Sequence, residues 1–76
     1  MAHLLHNYRG FMYAASAREK SPGSWVGIYE IFGVGFTGKQ ESVMQAETPG
    51  EFGNPLLAEL AADDACRAEI DAVLSR

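Results

Sequence analysis

The chain has 76 residues, 47% of them hydrophobic and 21% charged, with a formal net charge of −4. A chain this short buries only about 60–65% of the surface it exposes when unfolded, which excludes a doubly wound nucleotide-binding sheet, a two-domain enzyme and a solenoid of several repeats. Its apolar fraction excludes a disordered chain, and its acidic balance gives no overall attraction to phosphate backbones.

At the N-terminus, Ala15-Ser16-Ala17 has the small side chains of a signal-peptide cleavage site. No Lys or Arg precedes Arg9, however, and His3, His6, Asn7, Arg9 and Gly10 interrupt any apolar core. The uncharged stretch Gly10–Ala17 is far shorter than the about 20 residues of a membrane span. The single Cys66 has no intramolecular disulfide partner, so the expected compartment is the cytoplasm. His3 and His6 stand three apart, but no further His follows and Cys66 is distant in sequence. A closed zinc site is not expected. Residues 1–6 read as a leading segment, and no metal or cofactor is implied.

Tyr8 to Arg18 reads as the first strand, with bulky Tyr8, Phe11, Met12 and Tyr13 and no Pro. Glu19-Lys20-Ser21-Pro22-Gly23-Ser24 supplies a turn centred on Pro22-Gly23. Trp25 to Phe32 is the clearest strand, with faces Trp25/Gly27/Tyr29/Ile31 and Val26/Ile28/Glu30/Phe32, both largely apolar. That pattern predicts a central strand covered on each side. Gly33 to Lys39 is a loose connection. Gln40 to Thr48 has a helical composition, but its short length and the Pro49-Gly50 stop favour a third strand.

Asn54-Pro55 places an N-cap before a proline at the first helical position and predicts a helix over 54–75. At 100° per residue Leu56, Leu60, Cys66, Ile70, Val73 and Leu74 share a face. Asp63 and Arg67 fall inside that stripe. Either they pair at its edge as i and i+4, or the helix breaks near Asp63. The resulting fold is α+β, a three-stranded antiparallel meander over 8–48 followed by a C-terminal helix (β-β-β-α).

Two phosphate-loop patterns overlap in the connection: Gly33, Gly38 and Lys39 fit G-x-x-x-x-G-K, and Gly33, Gly35 and Gly38 fit G-x-G-x-x-G. Gln40 stands where the first pattern needs Ser or Thr for Mg²⁺. The chain after Gly38 is too short for the sheet that the second requires. A hairpin loop is the expectation. Cys66, mid-helix on the packed face, reads as a small hydrophobe. Asp63 and Asp64 point about 100° apart on a helix, so no catalytic set emerges and no enzyme is expected.

Seven of the eight aromatics lie in residues 8–36, and one helix covers only one side of a sheet. Tyr8, Phe11, Tyr13, Trp25 and Tyr29 are therefore the candidate interaction face, to be covered by a second copy as a homodimer. With Arg9 beside them they also form a possible stacking platform for single-stranded nucleic acid or nucleotides. Four basic residues against two acids leave residues 1–40 at +2, while two against eight leave residues 41–76 at −6. The acidic half would repel such a ligand, so self-association is the first reading. An unknown protein partner adding a strand at a free sheet edge is a further one.

The segments Asn7-Tyr8-Arg9-Gly10-Phe11, Trp25-Val26-Gly27-Ile28-Tyr29-Glu30-Ile31 and Ala68-Glu69-Ile70-Asp71-Ala72 together resemble a group of small uncharacterised bacterial proteins. Those open with a Tyr-Lys/Arg-Gly-aromatic strand, pass through a Trp-bearing second strand and end in an acidic, Ala-rich helix. The resemblance implies a β-β-β-α fold and carries no assigned activity.

Overall fold

The computed structural model describes residues 5–34 and 40–75. Four strands, β1 (His6–Tyr8), β2 (Phe11–Ser21), β3 (Ser24–Val34) and β4 (Gln40–Glu47), are followed by one helix, α1 (Pro55–Leu74). The strands form an antiparallel sheet in the order β1-β2-β3-β4. The class is α+β as expected, with four strands in place of three.

The additional strand arises because the expected first strand folds back on itself. Arg9 and Gly10 both take positive φ, 51° and 90°, and Tyr8 stands opposite Phe11. Two left-handed residues between paired strands make the hairpin turn whose twist matches the sheet. The sheet thus begins at His6, inside the expected leading segment. The next hairpin is tighter than the six-residue turn expected, since Ser21 stands opposite Ser24. Only Pro22 and Gly23 (φ 77°) form the loop, the proline fixing φ at the first position and the glycine accepting it at the second. Residues 40–47 are a strand, as their length and the Pro49-Gly50 stop suggest.

Between β3 and β4 the register slips at Ile31/Phe32: Ile31 faces Met44 but Phe32 faces Ser42, which leaves Val43 as the extra residue of a bulge. Gly33 lies in β3, opposite Glu41. The remaining positions of both glycine-rich patterns, residues 35–39, lie outside the described residues. The element that follows is a strand, where a phosphate loop needs a helix N-terminus.

α1 runs unbroken through Asp63. Asn54 caps it, its side chain accepting from the Leu57 N–H at 2.9 Å, with Pro55 in the first turn. Asp63 and Arg67 pair at 2.7 Å as i and i+4 neighbours. The helix lies over β2 and β3 and buries Ala58, Ala62, Cys66 and Ile70, one residue per turn. This corrects the expected stripe, because Leu56 and Leu60 point to solvent, 63% and 53% exposed. The reason is Gly27 in β3. A Cβ there would strike the Ala58 carbonyl and sit 2.7 Å from Thr48 Oγ1 and 2.9 Å from Ala62 Cβ. The helix backbone approaches the sheet so closely that only alanines fit at its N-terminal end, and the leucines are turned away. Thr48, buried at the same spot, donates its hydroxyl to the Gly27 carbonyl at 3.1 Å.

The core beneath α1 comprises Tyr13, Ala15, Tyr29, Ile31, Ala62, Cys66 and Ile70. The molecule is a thin slab with principal extents 42 × 30 × 15 Å. Among the described residues no helix is long and apolar enough to cross a membrane.

Candidate functional site

The expected interaction residues lie on the helix side of the sheet. Tyr13 and Tyr29 are buried there, and Tyr8 and Phe11 pack against the same core. Trp25 is half-buried on a strand whose backbone pairs with Phe52 by two 2.8 Å hydrogen bonds. The aromatics therefore fill the interior, and the expected aromatic open face is corrected. Both faces of Trp25–Phe32 were apolar in sequence, and the helix has covered the Trp25/Gly27/Tyr29/Ile31 side.

Two of these rings, Tyr8 and Tyr13, form a polar clasp between the first hairpin and α1. The Tyr8 hydroxyl donates to both oxygens of Asp71, at 2.9 and 3.0 Å, and Arg9 pairs with Asp71 at 2.7 Å. The Tyr13 hydroxyl donates to Asp63 at 2.5 Å and accepts from Arg67 Nε at 3.2 Å. The Arg67 guanidinium also stands 5.9 Å from the centre of the Tyr8 ring, and His6 packs on Tyr13 at 5.2 Å between ring centres. Arg9 holds the Asp71 carboxyl below its ordinary range, helped by the Tyr8 hydroxyl. The bond to Asp71 raises Tyr8, and burial followed by the bond to Asp63 raises Tyr13.

The Cys66 thiol, desolvated and near Asp63 and Glu69, is pushed from 9.0 to about 11. A buried, protonated thiol is a poor nucleophile. Among the described residues no cluster of His, Cys, Asp and Glu could hold a metal ion.

These shifts predict an alkaline limit to stability. A group whose folded value is raised adds stability that is present below its unfolded value and lost as pH rises through its folded one. Tyr8, Tyr13, Tyr29 and Cys66 all move upward. The melting temperature should therefore hold to about pH 9 and fall steadily between about pH 9 and 11. Calorimetry over that range checks it, and a flat profile to pH 11 would contradict the clasp. Asp71 works in the opposite sense. Its contribution is present above its ordinary 3.8 and fades as pH falls below it.

Two surfaces remain open. The first is the half-buried part of the sheet face away from α1, where Met12 stands beside Phe32, Ala14 beside Glu30 and Ser16 beside Ile28; Val26, beside Arg18 at its end, is already buried. Small Ala14 and Ser16 leave a depression of about 200 Å³, walled by Ile28, Glu30 and Gln45. Arg18 reaches across β3 to Glu47 at 2.6 Å, at the level of Val26 and Ile28. The second is the flank of the sheet beyond α1, where β4 forms the edge.

Sequence reasoning had Val26, Ile28, Glu30 and Phe32 as a face but did not single it out. The uneven alternation of β2 (Met12, Ala14, Ser16, Arg18) was the available signal. As a stacking platform this face has, among the described residues, only Phe32, and Arg9, Arg18 and Arg67 are each held by a carboxylate of the same chain. No protein-family model matches the chain, and no curated protein and no solved structure matches it.

Proposed function

We propose that the chain is a non-enzymatic interaction module of the cytoplasm that associates with a second copy of itself through the open face of its sheet. The observation that carries this is the one-sided cover. α1 packs over one face, while Met12, Ile28 and Phe32, each half-buried, lie on the other, next to Val26, which the chain itself already buries. A sheet that is apolar on both sides is ordinarily covered on both. The long axes of 42 and 30 Å give that face room for the roughly 800 Å² per partner of a standard interface.

The columns are also complementary. A twofold axis running along the strands would set the partner's Ile28 and Glu30 over the small Ser16 and Ala14, large side chains into the depression. The expected result is a mass by light scattering of twice the 8.3 kDa chain, unchanged by oligonucleotides. Ile28→Asp, half-buried at the centre of the face, should give the single-chain mass while retaining the wild-type circular dichroism. A wild-type mass of 8.3 kDa at every concentration would overturn the reading.

A further inference from the structure

β4 is the last strand of the sheet, and α1 lies mainly over β2 and β3, while Met44 and Ala46 of β4 pack against the edge of the core. The outer rim of β4 offers backbone N–H and C=O groups to no neighbouring strand among the described residues, the arrangement that accepts an added strand. Natural edges are ordinarily blunted by charge and bulges. Here the bulge has a different effect. It brings Val43 and Met44 to the same side, and both line an apolar notch of about 70 Å³ with Phe11, Ile31, Ile70 and Val73. Val43 lies across Gly33, where a Cβ would come within 2.9 Å of its Cγ2, and is 64% exposed.

The wall opposite β4 is the helix row Ala61, Ala65, Glu69 and Val73, spaced four apart. Its two alanines leave a shelf beside the strand. Among the described residues, charge on this flank has one sign. Glu41, opposite Gly33, and Glu69 form no ion pair among the described residues, and Arg9, Arg18 and Arg67 are all paired elsewhere.

We propose that the groove between β4 and the second half of α1 receives an extended segment of a basic partner protein, added to the sheet as a fifth strand. An aliphatic side chain of that segment fills the notch, and a neighbouring Lys or Arg meets Glu69. A second copy of this chain fits less well, since its own edge brings acidic groups to an acidic flank.

The probe is a fluorescein-labelled peptide of sequence Thr-Lys-Val-Lys-Val-Thr, followed by anisotropy. Wild-type protein should bind it saturably, and a peptide with Glu in place of Lys should not bind. Val43→Asp separates the groove from simple charge attraction, because it adds a negative charge while removing apolar lining. The groove requires binding about tenfold weaker than wild type, whereas nonspecific attraction requires tighter binding. Glu69→Gln supplies the same weakening without touching the notch, should Val43→Asp fail to fold. Absence of saturable binding to wild type, or tighter binding by Val43→Asp, would overturn the proposal. The inference stands apart from the open face, so Ile28→Asp should bind the peptide as wild type does.

Discussion

Gly27→Ala is expected to cost the domain most of its stability. One methyl group would have to enter a space already occupied by the Ala58 carbonyl, Thr48 Oγ1 and Ala62 Cβ. The first of these is backbone, so no rotamer change relieves it. α1 must lift from β3, and with it Ala58, Ala62 and Cys66 lose the contacts that leave them fully buried. Overpacking of this kind costs about 1–3 kcal/mol and occasionally more, against a total of only about 5 kcal/mol for a small single core. Urea denaturation should show a midpoint well below wild type. Gly53→Ala is the matched control, because a Cβ there meets nothing within 4 Å. Equal midpoints for the two variants would show that the helix is not seated on Gly27.

Tyr13→Phe is the second large effect. It keeps the ring, which is 2% exposed, and deletes only the hydroxyl that links Asp63 to Arg67 Nε. Hydrogen bonds to charged groups contribute about 1.5–3 kcal/mol, and Asp63, whose side chain is only 20% exposed, has little water to replace the lost donor. Tyr8→Phe should cost clearly less. Its acceptor Asp71 is 45% exposed and keeps Arg9. Combining Tyr13→Phe with Asp63→Asn should give less than the sum of the single losses, since both remove one interaction. Additive losses, or a Tyr13→Phe variant no weaker than Tyr8→Phe, would refute this assignment.

The parts of the fold that local chemistry decides were readable in the sequence. Asn54-Pro55 starts the helix where capping requires, Pro22-Gly23 closes the central hairpin, and 40–47 pairs as a strand. Features that depend on distant partners were not readable. Arg9 occupies a left-handed turn position that favours Asn or Gly, and its counterpart Asp71 lies in the last turns of the helix. The helix face follows the closeness of Gly27, so a periodicity count weighted toward leucine placed Cys66 and Ile70 correctly but Leu56, Leu60, Val73 and Leu74 on the wrong side. The candidate site shows the same division. Alternation in Trp25–Phe32 separated its two faces correctly, but with both apolar nothing local decided which one the helix would take. Of the aromatics named as exposed, Tyr13 and Tyr29 are buried beneath it, with Tyr8 and Phe11 packed against them.

The clasp of Tyr8 and Arg9 on Asp71 ties residues 62 and 63 positions apart in sequence. β1 is three residues long, and an isolated hairpin of that size is marginal in water. Its closure is therefore reinforced by a carboxylate from the far end of the fold, Asp71 in the last turns of α1. The register of β1 is thus held from both sides, by its pairing with β2 and by the docked helix.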